Sequence, residues 1–266
     1  MKLPTVLMEQ LLLYVQYRTR AGHRKGRGVH PPFAYEFIRE AVFGRDPPGL
    51  EGIMDLVETL LGNRNTLEVS DLGAGSRLGG GTRKSIRELV KHTAVGSKKG
   101  RLLARIAQYF HFSTMIELGT GTGISSLYLA KSCPNSKILS CEGSSEIAAL
   151  ARQNISQMGI SNIEVHNDVF LKWLPRVLSQ IAGDIFVFLD GDHRGEMLKQ
   201  YCSMIIQSAP SKAVLVLDDI HWSKDMNLAW KELLNRSEIS LSLELYNTGI
   251  IFLGYGIQQD HFVVDF

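Results

Sequence analysis

The run Glu117-Leu-Gly-Thr-Gly-Thr-Gly123, with a lone acid, Glu142, about twenty residues on, is the pattern in this chain best suited to holding a ligand. Glycines at alternate positions let the backbone turn sharply and approach a bound molecule closely. A carboxylate at the position of Glu142 can accept both hydroxyls of a ribose. Two further strings carry chemistry: Asp190-Gly-Asp192-His193 and Asp218-Asp219-Ile-His221. Asp190, Asp218 and Asp219 would together offer the hard oxygen ligands that suit Mg²⁺. His193 could act as a general base, because an unperturbed imidazole titrates near neutral pH. The competing structural reading of these strings is loop and helix capping, with His221 packing beside Trp222.

These residues matter only if the chain brings them to one rim, and the hydrophobic pattern predicts that it does. Strands are expected at 114–118, 137–141, 163–166, 184–189 and 213–217, each followed by one of the acids: the Glu117 loop, Glu142, Asp168, Asp190 and Asp218. Helices are expected between them at 125–132, 145–158, 171–180, 196–208 and 226–235. A hairpin, 241–246 and 250–255, should turn at Asn247-Thr248-Gly249. Alternating strands and helices mean an α/β, doubly wound, mostly parallel sheet, and such sheets bind ligands beyond the carboxyl ends of their strands. Before residue 98 the pattern is helical, at 5–19, 33–43, 53–61 and 85–92, and a helix at 102–110 opens the second part. We therefore expect a helical cap over 1–97 and a ligand-binding domain over 98–266.

The acid, apolar residue and GxGxG loop of Glu117–Gly123 followed by Glu142 resemble the first motifs of the class I S-adenosylmethionine-dependent methyltransferases, over roughly residues 98–256. The resemblance implies a seven-stranded Rossmann-like sheet completed by the terminal hairpin. It implies that Glu117, Gly119, Gly121 and Gly123 hold the methionine end of S-adenosylmethionine, that Glu142 holds the ribose, and that Asp168 lies near the adenine. The Asp190 and Asp218-Asp219 strings are similar to the catechol and caffeoyl-CoA O-methyltransferases. The sequence departs from them with Asp-Asp for Asp-Asn and with His193 in place of a lysine, which is closer to metal-dependent sugar O-methyltransferases. By this resemblance Asp190 contacts substrate or cofactor, His193 and Asp190 are the catalytic pair, and Asp190, Asp218 and Asp219 form a Mg²⁺ site. The expected reaction is O-methylation of a small hydroxylated acceptor. Lys98-Lys-Gly100-Arg101, placed just before the helix at 102, resembles a segment bordering the active site in the catechol-type group.

A dinucleotide-binding reading fits less well, because that fold favours GxGxxG and a pyrophosphate turn. Asp71-Leu-Gly-Ala-Gly-Ser76 imitates the first motif, but no strand ending in an acid follows it, so we read it as a structural loop of the cap. The chain of 266 residues carries net charge +2, distributed unevenly: 18 Lys/Arg against 10 Asp/Glu in residues 1–105, and 11 against 17 beyond. Arg18, Arg20, Arg24, Lys25 and Arg27 form a basic stretch that reads either as a solvated connector or as an anion-binding lid. The alternatives kept open are N-methylation or RNA methylation using that stretch, and a nucleotide-binding protein without catalysis. No recognisable RNA-binding module is present. Three cysteines without ligand spacing and no apolar run of membrane-spanning length predict a soluble, cytoplasmic protein. The amphipathic first helix would serve a homodimer interface.

Overall fold

The protein is described by a computed structural model covering residues 5–69, 83–208, 211–257 and 259–266. The imitation motif at 71–76 lies outside the described residues. In chain order the elements begin with α1 (Thr5–Arg20), a tight turn at Arg24–Gly26 and α2 (Pro32–Phe37), which widens into a π-turn over Ile38–Val42. Next come α3 (Ile53–Gly62), β1 (Thr66–Glu68), β2 (Arg83–Ser85), α4 (Ile86–Thr93) and α5 (Ser97–Phe110). The alternating part is β3 (Thr114–Leu118), α6 (Ile124–Ser132), β4 (Lys137–Glu142), α7 (Ser145–Gln157), β5 (Ile163–Asn167) and α8 (Phe170–Leu178). It continues with β6 (Ile185–Leu189), α9 (Gly195–Ser208), β7 (Ala213–Leu217) and α10 (Lys224–Leu234), and ends in β8 (Ile239–Leu245), β9 (Thr248–Leu253) and β10 (Asp260–Val263).

Packing divides the chain into two compact units, Met1–Gly44 with Ala182–Phe266, and Arg45–Ile181. These boundaries differ from the 97/98 division expected from composition. In the second unit β3, β4 and β5 run parallel, with Ile116 opposite Leu139 and Ser140 opposite Val165. β5 mixes exposed Glu164 with half-buried neighbours, the composition of an edge strand. Nearly every residue of α6 is buried, which explains its apolar character on all sides. α5 begins at Ser97 rather than 102, so Lys98, Lys99 and Arg101 lie in its first turns and not in a preceding segment. Gly100 is what lets α5 approach α6: a methyl group there would sit 2.2 Å from Cε2 of Tyr128. Ser85 and Glu88 close a reciprocal capping box at the start of α4.

In the first unit β6 and β7 are parallel and wholly buried, as their unbroken apolar sequences require. β9 pairs antiparallel with both β7 and β8. The hairpin turns at Tyr246-Asn247 instead of Asn247-Thr248-Gly249, with Tyr246 itself in the left-handed region at φ 60°. Gly249 lies within β9, where a Cβ would come 2.7 Å from the Trp230 ring. Beyond the hairpin β10 adds a parallel strand to β8, so among the described residues the mostly parallel sheet has eight strands, β3 to β10, and not seven. Only Phe262 and Val263 of this strand are buried, and its short half-polar sequence gave no alternation to detect.

The same C-terminal segment fastens α1. Gly22 N–H donates to the Val263 carbonyl and Asp265 N–H donates to that of Gly22. The buried Tyr17 hydroxyl donates to the Val264 carbonyl at 2.5 Å, and Arg18 pairs with Asp265. Among the described residues no helix is long and apolar enough to cross a membrane.

Candidate functional site

The glycine loop leaves β3 at Leu118 and opens α6. Gly119, Gly121 and Gly123 have φ of 98°, 52° and 83°, values that L-residues reach only with strain. Two N–H groups, of Gly119 and Thr120, donate to the Cys141 carbonyl, tying the loop to the end of β4. Glu142 follows directly. Its Oε2 accepts the Gly121 N–H at 3.0 Å and its Oε1 accepts the Ser144 N–H at 3.0 Å. The side chain therefore turns toward the loop, and each oxygen keeps a lone pair for a further donor. Burial raises the Glu142 pKa, opposed by the N–H groups of Ser144, Gly121 and Gly143.

Glu117 is completely buried beneath the loop. Its Oε2 accepts the hydroxyls of Ser126 and Ser140, the latter at 2.5 Å, and Ser140 Oγ lies 2.6 Å from Thr120 Oγ1. The other oxygen, Oε1, is buried without a hydrogen-bond partner among the described residues. Burial pushes the pKa of Glu117 up, while the Ser125, Ser126 and Ser140 hydroxyls oppose the shift. Glu117 is thus tied at the base of the loop to the hydroxyls of Ser126 and Ser140. Asp168 is placed after β5 as expected, but its carboxylate is engaged: Oδ1 accepts the Val169 N–H at 2.7 Å and Oδ2 pairs with Arg176. The Val169 N–H and the Arg176 charge hold its pKa down. Asn167 ties β5 to β4 by donating to the carbonyls of Glu142 and Gly143.

In the other unit Asp190 and His193 follow β6, both half-buried. The His193 ring lies 5.8 Å from that of Trp222. Asp192 takes φ 57° and is held by Arg194 at 2.5 and 2.6 Å. Asp218 is buried after β7, and its Oδ1 accepts the Asp219 N–H at 2.8 Å, a local turn that draws the carboxylate inward. Asp219 takes φ 53°. Among the described residues no three His, Cys, Asp or Glu side chains gather closely enough to hold a metal, so the Asp190, Asp218 and Asp219 trio is not assembled as a Mg²⁺ site.

His221 lies away from this rim chemistry. It is buried, with Nδ1 2.6 Å from Asn227 Nδ2 and Nε2 3.1 Å from Glu244 Oε1. Arg20 and Trp230 also donate to the buried Glu244, at 2.9 and 3.2 Å. Burial opposes ionisation of Glu244, but His221, Arg20 and Trp230 together hold its pKa down. Sequence reading missed this network and the serines under Glu117, since neither has a motif spacing. Burial pushes the Cys141 and Cys202 thiols up to about 12, which excludes them as thiolate nucleophiles at neutral pH.

Comparison with known proteins points to the same part of the chain. Residues 116–220 match the family Methyltransf_24, a methyltransferase domain. The chain is 28% identical over 102 residues to the catechol O-methyltransferase of Niastella koreensis, covering 37% of this chain and 46% of that protein. It is 29% identical over 131 residues to the catechol O-methyltransferase of Mycobacterium tuberculosis, covering 48% and 57%. The chain thus spans about half the length of the relatives it matches. An O-methyltransferase structure from Bacillus cereus, solved with S-adenosylhomocysteine, superimposes with a TM-score of 0.54 at 14% identity, over 90% of this chain and 99% of that one. The fold is the α/β, Rossmann-like fold of the class I methyltransferases. The segment 116–220, which carries the glycine loop, Glu142 and Asp190, is the part of the chain that matches the methyltransferase domain.

Proposed function

We propose that this chain is an S-adenosylmethionine-dependent O-methyltransferase acting on a small hydroxylated molecule. The observation that carries the reading is the orientation of Glu142, whose two oxygens face the loop N–H of Gly121 and the helix-opening N–H of Ser144. That arrangement fits a ribose, whose adjacent hydroxyls need two acceptors fixed relative to each other. The three left-handed glycines fit the close approach of a ligand to the backbone. The matched relatives, both catechol O-methyltransferases, support oxygen as the methylated atom.

The cofactor supplies a methyl group already activated on a sulfonium, so the protein's tasks are positioning and proton removal. Glu142 would hold the ribose and the 119–123 backbone would line the methionine end. Glu117, through Ser126 and Ser140, would keep the loop in place from below. Asp168, bound to Arg176, would leave any contact with the adenine to the backbone around it. His193 would take the acceptor's hydroxyl proton, with Trp222 limiting its ring rotation and Asp190 orienting the acceptor. No step is assigned to Mg²⁺, because the three carboxylates named for it are not gathered.

The test is calorimetry with S-adenosylmethionine and S-adenosylhomocysteine, followed by methyl incorporation across a panel of phenols, sugars and amines. Saturable binding that Glu142→Ala abolishes, with transfer to hydroxyls, is expected. Absence of binding by the wild type, or transfer to amines alone, overturns the assignment.

A further inference from the structure

Residues 10–35 contain no aspartate or glutamate, yet they contain Arg18, Arg20, Arg24, Lys25 and Arg27. Two of these five cations have structural partners, Arg18 with Asp265 and Arg20 with Glu244. Arg24, Lys25 and Arg27 are exposed on a single tight turn and form no ion pair among the described residues. The turn is strained and fastened at once. His23 and Lys25 take φ of 49° and 53°, in the left-handed region that side-chain-bearing residues rarely adopt. Gly26 and Gly28 are left-handed as well, at 81° and 73°.

Four contacts hold it there. The His23 ring packs edge-on against Phe262 with centroids 5.2 Å apart, and its Nδ1–H donates to the Arg27 carbonyl at 2.9 Å. Gly22 is bridged to the C-terminal segment, and buried Gly26 lies so close to Tyr35 that a Cβ would be 2.7 Å from Cδ2. A solvated connector needs no such fixing. Strain in a well-fastened turn is the mark of a pre-organised site.

We propose that the turn His23–Gly28 binds a small ligand carrying two or three linked phosphates, such as a diphosphate or triphosphate group. The charge is concentrated: three cations fall within four residues, a span of at most about 10 Å along the chain. That matches one compact polyanion. A nucleic-acid footprint of roughly 1,000 Å² or more would need cations spread over several elements. The inference does not depend on the transferase reading, because it concerns other residues and is tested without S-adenosylmethionine.

The experiment is calorimetry of the full chain with pyrophosphate and with tripolyphosphate at low salt. Comparison is with Arg24→Gln/Lys25→Gln/Arg27→Gln and with Lys25→Gly, which removes one charge and relieves the φ strain. Circular dichroism and melting temperature confirm that both variants remain folded. We expect tripolyphosphate to bind better than pyrophosphate, roughly tenfold or greater weakening in the triple variant, and a smaller loss in Lys25→Gly. Equal affinity in wild type and triple variant overturns the proposal, as does failure of the wild type to bind either anion. A twelve-nucleotide single strand that binds more tightly than tripolyphosphate, with a steeper salt dependence, would also overturn it and assign the turn to nucleic acid.

Discussion

Gly121 and Ser144 donate their N–H groups to opposite oxygens of the Glu142 carboxylate, so a loop after one strand and the helix after the next are pinned by one side chain. Glutamine is nearly isosteric with glutamate but carries one acceptor and one donor. In Glu142→Gln an amide N–H₂ must face one of two backbone N–H groups. A hydrogen bond to a charged group contributes about 1.5–3 kcal/mol. Affinity for S-adenosylmethionine should therefore fall roughly 10- to 150-fold in this variant, read by calorimetry. Unchanged affinity would remove the role given to this carboxylate.

The buried Glu117 predicts a pH signature. Its folded pKa is raised, so the folded state favours the protonated acid. The unfolded state ionises near the ordinary carboxylate value of about 4.3. Its contribution to stability is thus complete below that value and is lost as pH rises toward the folded pKa. Glu117→Gln has no such loss. The melting temperature of Glu117→Gln minus that of the wild type should increase as pH is raised from 4 toward neutrality, and a flat or falling difference contradicts the assignment.

Gly100 gives a packing test. A methyl group placed 2.2 Å from Tyr128 forces α5 and α6 apart. Overpacking of this kind costs about 1–3 kcal/mol. Gly100→Ala should melt roughly 2–12 °C lower by calorimetric scanning, using about 2–4 °C per kcal/mol for a chain of this size. Retention of the wild-type melting temperature would mean that the two helices are not in contact at this point.

The two histidines after β6 and β7 should separate chemistry from stability. His193 is half-buried beside Trp222, so His193→Ala should melt close to the wild type. Loss of a general base lowers turnover about 10²- to 10⁴-fold. His221 bridges Asn227 and Glu244 in the interior. His221→Ala removes a partner from a buried carboxylate and should cost on the order of 3 kcal/mol. Its folded fraction should keep turnover within a few-fold of wild type. The reverse pattern in paired melting and kinetic measurements would exchange the two roles.

Much of this architecture was legible in the residues. β6 and β7 fall where their apolar runs begin and end, because strands buried on both faces have no polar residues to blur them. Glu142 was legible as the acid that ends the strand after the glycine loop. What escaped was short or distant. β1, β2 and β10 have three or four residues with no hydrophobic alternation. The start of α5 was hidden by Lys-Lys-Gly, which reads as a breaker until Tyr128 supplies the reason for the glycine. The shared magnesium ligands were inferred from strand ends and from the likeness to the catechol-type enzymes. Strand ends fix where a backbone stops but not where a side chain turns, and Asp218 turns to its own neighbour's N–H.

The stitching of Gly22, Tyr17 and Arg18 to residues 263–265 has a bearing on how the chain is born. Roughly 240 residues must leave the ribosome before the first helix can meet its mates, an interval of tens of seconds at about 5–20 residues per second. Through that interval the apolar side chains Met8, Leu11 and Leu12, exposed even after folding, have no native surface beside them. Docking of this helix therefore waits on a contact far away in the chain, unlike that of elements whose partners are neighbours in sequence.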